Sequence, residues 1–220
     1  MPNTPFVHRR VILWLMLLFF FAAGCRSTYY SLWETLGKEK RHLLQDEVQA
    51  ARDDQKMASE EFKDALTRVQ ELTGFQGGEL ETVYNRLKDD YDDCARRAEI
   101  IDDRIQNVAQ IAEDLFAEWE AEIGQMSNPA FQADSRRNLA ATRTRYQRLH
   151  QALVRSRARM DPVLTRLNDY VLYLKHNLNA QAVGALGSEM GTIQADVDKL
   201  VRDIQRSIEE ADAFLQTLDK

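Results

Sequence analysis

An all-α fold is predicted: an elongated antiparallel helical bundle or coiled coil of about four long helices, following a cleaved signal peptide. Three features carry that expectation. Apolar residues recur at alternating four- and three-residue spacings through nearly everything after Tyr29, the pattern of helices that each bury one stripe. Only 9 glycines and 4 prolines occur in 220 residues, so few positions can interrupt a helix. Before the periodic region, Arg9 and Arg10 precede the apolar run Val11 to Ala23, which Gly24 and Cys25 close. Such a charged-then-apolar order with small residues at its end is that of an export signal. As a helix the run would span roughly 20 Å, short of the ~30 Å hydrocarbon core, which favours cleavage over retention as a span.

The segment Ala22-Ala23-Gly24-Cys25 resembles the lipobox of bacterial lipoproteins, with Ala22 where those usually carry Leu. The resemblance implies residues 1–24 as a lipoprotein signal peptide and Cys25 as the acylated mature N-terminus. Residues 25–28 form the lipidated tether, and 29–220 the helical bundle domain. Two or more acyl chains would anchor the protein stably, since each buried CH₂ contributes about 0.8 kcal/mol. Arg26 follows the cysteine. Under the sorting rule of such lipoproteins, where Asp there means inner-membrane retention, this favours the periplasmic face of the outer membrane.

Loss of residues 1–24 leaves 27 Lys and Arg against 35 Asp and Glu, a net charge of −8. Such an acidic chain has no global attraction to nucleic acid or to anionic lipid, and no nucleic-acid partner is expected. With Cys25 acylated, Cys94 is the one remaining thiol, so no internal disulfide can form and packing must stabilise the fold.

The first helix is expected over about Tyr29 to Thr73. Its seam is Leu44, Val48, Ala51, Gln55, Ala58, Phe62, Ala65, Val69 and Leu72, extended N-terminally by Tyr29, Trp33 and Leu36 across a stutter at Lys40. Gly74 and Gly77-Gly78 end it. The second, about Glu79 to Ile123, has the most regular seam: Leu80, Tyr84, Leu87, Tyr91, Cys94, Ala98, Ile101, Ile105, Val108, Ala112, Leu115 and Trp119. Gly124 opens the next loop, with Ser127, Asn128 or Ser135 as candidate caps of the third helix.

The third helix runs to His176 with seam Leu139, Thr142, Tyr146, Leu149, Leu153, Ser156, Met160, Val163, Leu167, Tyr170 and Leu174. Because the register continues past Pro162, a single kinked helix is expected there rather than two, at a local cost of ~3 kcal/mol. A break at Asn177-Leu178-Asn179 precedes a fourth helix with seam Val183, Leu186, Met190, Ile193, Val197, Leu200, Ile204, Ile208, Ala211, Leu215 and Leu218. Gly184, Gly187 and Gly191 share one face of it, permitting close backbone approach. Short connections imply antiparallel neighbours.

Charge is uneven. Residues 79–123 hold fourteen acids and five bases, whereas 130–176 hold ten bases, nine of them arginine, and three acids. Either the second and third helices pair across their flanks, as e and g charges do in coiled coils, or the arginines form a face for an anionic partner.

No constellation announces catalysis, metal or cofactor binding, and none of the three is expected. Gly77-Gly78 lacks the Lys-Ser/Thr of a phosphate loop, and Glu39-x-x-His42 is a single copy of a motif that di-iron bundles need twice. Cys94 sits on the seam as a core thiol, with a reactive thiol as the alternative. Asp89, Asp90, Asp92 and Asp93 diverge on a continuous helix and read as a solvated face rather than a calcium loop. Tyr29, Tyr30 and Trp33 begin within ~10 Å of the acylated cysteine and suit the membrane interface, although Tyr29 and Trp33 also fit the seam. Phe75, in a glycine-rich turn, and His176 are candidate partner contacts at the end of the bundle far from the membrane; packing of Phe75 on Leu72 is the alternative.

The continuous heptads, Asp161-Pro162 and the segment Leu174-Lys175-His176-Asn177-Leu178-Asn179-Ala180 resemble an uncharacterised, DUF2959-like family of proteobacterial lipoproteins. That resemblance brings no activity or site residues. The expectation is a non-enzymatic periplasmic spacer, scaffold or partner-binding lipoprotein, with membrane lipid and an envelope protein as its partners. The alternatives are a regulator of peptidoglycan enzymes, or an enzyme or metal-binding bundle with an unrecognised site.

Overall fold

The computed structural model describes residues 40–74 and 80–218. They form four α-helices: α1 (Lys40–Thr73), α2 (Leu80–Gln125), α3 (Pro129–His176) and α4 (Ala180–Leu218). Backbone contacts group residues from Leu44 onward into one compact unit, separate from the unit that ends at Leu43. The expected start of the first helix at Tyr29, with the Leu36 side of the stutter at Lys40, lies outside the described residues.

Periodicity locates the core. All nine expected seam residues of α1 from Leu44 to Leu72 are buried, Gln55 among them. In α2 the seam is buried from Leu87 to Ala112 except for Tyr91, which is half-buried like Leu80 and Tyr84, and it then shifts, so that Phe116 and Ile123 are buried while Leu115 and Trp119 are only half-buried. An α-helix drifts ~20° per heptad against a strict 3.5-residue repeat, and over a 46-residue helix a four-residue step restores the inward face. The shift also sets Phe116 edge-on to Tyr146 of α3, at 5.5 Å between ring centroids. Trp119 instead sits at the margin, where its indole N–H donates to Ser135 Oγ at 2.8 Å. In α4 Phe214 is fully buried in place of Leu215, a three-residue step from Ala211 followed by a four-residue step to Leu218. The α3 seam is buried throughout except for Tyr146, which is half-buried.

Interhelical pairs fix the order. Glu47 meets Arg104 and Glu61 meets Arg97, so positions fall along α2 as they rise along α1. Glu120–Arg143 and Asp102–Arg157 run the same way between α2 and α3, and Arg159–Asp203 with Arg166–Asp196 between α3 and α4. Arg52–Asp212 and the Gln70–Gln194 hydrogen bond close the ring from α1 to α4. Every neighbour is antiparallel, as the short connections require.

Local chemistry sets the ends. Asn128 is the N-cap of α3, its Oδ1 accepting from the amide N–H of Ala130 at 2.9 Å, with Pro129 in the first helical position. The preceding helix overruns the expected stop at Gly124 by one residue. α3 passes unbroken through Pro162. Pro162 and Ala158, whose carbonyl loses its helical donor, are both exposed, which lets water replace the bond. Gly184, Gly187 and Gly191 correct another expectation: they are exposed, and a Cβ on any of them would meet nothing within 4 Å. Their shared face points to open space instead of permitting a close helix contact.

Candidate interaction surfaces

Charge pairing departs from the acidic-helix-to-basic-helix expectation. The densest ladder joins α1 to α2, and its cations come from the acidic helix. Arg97 reaches Asp54 at 2.9 Å and Glu61 at 2.8 Å, and Arg104 reaches Glu47 and Asp54, both at 3.0 Å. Glu47, Asp54, Glu61 and Arg68 are one heptad apart, as are Asp90, Arg97 and Arg104. The polarity reverses at the last rung, where Arg68 meets Asp90 at 3.2 Å. Of the α3 arginines, Arg143 and Arg157 turn to α2, whereas Arg159 and Arg166 turn to α4.

The α3–α4 flank has its own heptad stripes. Glu189, Asp196, Asp203, Glu210 and Thr217 run along α4, facing Arg166, Arg159, Ala152 and Arg145 along α3. Paired rungs occupy one half of this flank. At the other, the acidic stripe ends in Thr217, and a groove of about 260 Å³ opens between Arg145, Arg148, Glu210, Ala213, Phe214 and Thr217. Phe214 anchors it from beneath, its ring 6.2 Å from that of Tyr146. Burial, with the nearby Glu113 charge, pushes the Tyr146 hydroxyl up to about 12, so this support is neutral. Neither Arg145 nor Arg148 nor Glu210 has an ion-pair partner among the described residues.

A second surface is apolar and lies at the α3–α4 turn. Leu172 is 52% exposed, Tyr173 42% and Leu178 39%. His176, the expected contact, is exposed beside them in the last turn of α3. The turn is tightly tied: Asn177 donates its amide N–H to the Leu174 carbonyl and its side-chain N–H to the Tyr173 carbonyl, and Asn179 Oδ1 accepts from the Ala182 amide. Helix period alone could have found Leu172 and Tyr173, since they lie off the seam that holds Tyr170 and Leu174. Met126 and Phe131, the latter 68% exposed, flank the α2–α3 turn at the opposite end of the unit. Cys25, Tyr29, Tyr30, Trp33 and Phe75 lie outside the described residues.

Several groups that could react are engaged within the bundle. Cys94 is buried on the seam, and desolvation, followed by the Glu61 and Asp90 charges, drives its thiol strongly toward the protonated form. The aspartates of the second helix diverge: Asp90 pairs with Arg68, Asp92 with Lys88 and Asp93 with Arg96. His150 stacks at a tilt beside Tyr146, 5.8 Å between centroids. Among the described residues no three His, Cys, Asp or Glu side chains converge as metal ligands, and no described helix is long and apolar enough to cross a membrane.

No curated protein and no solved structure matches the chain. A family model does, over residues 29–218, the span of the heptads and of both turns described above. The chain therefore belongs to the DUF2959 family of proteins of unknown function.

Proposed function

We propose that the protein is a non-enzymatic, lipid-anchored spacer of the bacterial cell envelope, held at the periplasmic face of the outer membrane through acylated Cys25 and presenting the α3–α4 turn to an envelope protein. The observation that carries this reading is the clustering of exposed Leu172, Tyr173 and Leu178 on a turn rigidly capped by Asn177 and Asn179. Exposed apolar side chains gathered beside polar ones are the usual mark of a contact surface. Antiparallel order puts this turn at the end of the unit remote from Leu44, roughly 45 Å away along the helix axis at 1.5 Å per residue.

Two experiments test the two halves of the proposal. Cys25→Ser should abolish acylation and release the protein from the outer-membrane fraction; retention with lipid would refute the anchor. Photocrosslinkers at Gln76 and Asn177 should capture an envelope protein, while Met126, at the opposite turn, should not. Adducts at Met126 alone would reject the tip as the contact.

A further inference from the structure

The α3–α4 flank contains an ion-pair ladder that stops where both signs of charge are still present. Arg159 meets Asp203 at 3.1 Å and Arg166 meets Asp196 at 3.0 Å, so this geometry brings heptad-spaced charges together where both partners are supplied. At the other half, Ala152 takes the place of a rung and Thr217 takes the place of the next acid. Arg145 and Arg148 are left one helical turn apart on one wall of the groove, with Glu210 on the facing helix. All three line the same opening, yet no pair among them closes to ion-pair distance. The opening is therefore wide enough to keep a carboxylate and two guanidinium groups apart.

We infer that this groove is a binding site for a zwitterionic phosphate–amine headgroup, with the phosphate on Arg145 and Arg148 and the ammonium on Glu210. Two guanidinium groups offer ten N–H donors, more than the two oxygens of one carboxylate can accept, and their planar forks suit the oxygens of a phosphate. The three side chains together carry one net positive charge, and a zwitterion leaves that total unchanged, so the complementarity is local: the phosphate lies against the two guanidinium groups and the ammonium against the Glu210 carboxylate. Thr217 and Gln216 add hydroxyl and amide groups at the rim, and Ala213 and Phe214 give an apolar floor for a short carbon linker. The volume of about 260 Å³ is below the range typical of drug-sized ligands and suits a headgroup. The site is independent of the α3–α4 turn, so failure of one leaves the other standing.

The test uses the full-length chain in detergent micelles and phosphorus NMR titration with glycerophosphoethanolamine, glycerophosphoglycerol and inorganic phosphate. Glycerophosphoethanolamine should bind saturably and more tightly than glycerophosphoglycerol. Arg145→Gln and Arg148→Gln should each weaken it about tenfold, the effect of losing one charge-assisted contact. Glu210→Gln should erase the preference for ethanolamine over glycerol while leaving phosphodiester binding in place. All three side chains lie outside the apolar seam, and unchanged far-UV circular dichroism and thermal unfolding will verify each fold. Absence of saturable binding, or affinity unchanged in the double arginine variant, overturns the site; equal affinity for the two diesters overturns the role of Glu210. Reconstitution into phosphatidylglycerol vesicles with and without phosphatidylethanolamine separates the sources. Competition by the membrane lipid identifies a bilayer headgroup, and its absence identifies a free phosphate–amine compound.

Discussion

A glycine is costly in a helix only for what it fails to contribute, and Gly184, Gly187 and Gly191 illustrate this because their missing side chains would touch nothing. Each leaves the unfolded chain freer and the folded helix no better packed. Replacement of any one by Ala should raise unfolding stability by about 0.5–1 kcal/mol, read as an increased urea midpoint at constant m-value. A loss of stability would mean that the face is covered. Asp196 provides a second test at the same scale. Desolvation works to raise its pKa, but hydrogen bonds from Arg166 and Lys199 prevail and hold it below the ordinary carboxylate value. A depressed acid stabilises the fold fully above its unfolded value, and that contribution disappears as pH falls through the folded one. The stability difference between the wild type and Asp196→Asn should therefore be largest near neutrality and shrink under acid; urea melts across the acidic range will show whether it does.

Between elements, the two arginine ladders differ in burial, and burial decides their energetic weight. The Asp54 side chain is only 8% exposed and accepts from both Arg97 and Arg104, whereas Arg159, opposite Asp203, is 52% exposed. Asp54→Ala removes one of the two carboxylate partners of Arg97 and of Arg104 at a partly dry interface, leaving Glu61 and Glu47 in place, and should cost about 1–3 kcal/mol. Asp203→Ala removes a solvent-screened pair and should cost about 0–1 kcal/mol. Urea denaturation of the two variants side by side checks the order; equal losses would show that helix α1 is not held to α2 by this ladder. These pairings were the least legible part of the sequence. Alternating spacings revealed which residues face inward, because inward burial requires only the helix period. Arginine side chains are long enough to reach either flank, so the charge totals of two helices could not say that Arg97 and Arg104 serve α1 or that Arg159 and Arg166 serve α4. The groove did leave a readable trace, in the heptad run Glu189, Asp196, Asp203, Glu210 that ends in Thr217 opposite Arg145. Recognising it required knowing which helices are neighbours.

For the bundle from Leu44 onward, uniqueness is harder to secure than burial, because four amphipathic helices with similar seams could slide by a heptad and bury nearly the same area. One layer resists such slippage. Gln55 and Ser156, both fully buried on the seams of α1 and α3, hydrogen-bond across the core at 2.8 Å from Nε2 to Oγ, and Ser156 Oγ donates to the Leu153 carbonyl at 2.8 Å. Gln55 Oε1 has no hydrogen-bond partner among the described residues, so this layer carries a desolvation cost that an apolar pair would avoid. A single buried polar contact of this kind sets register in coiled coils at the expense of stability. Ser156→Ala should destabilise by about 1–3 kcal/mol, since both polar ends of Gln55 are then left without partners. Adding Gln55→Leu should restore or exceed wild-type stability, because the layer is then wholly apolar. If register depends on this contact, the double variant should also show broadened or doubled amide resonances from alternative alignments. A double variant with higher stability and a single sharp set of resonances would transfer that task to the Asp54–Arg97–Arg104 ladder, the other feature at this level that an apolar seam cannot replace.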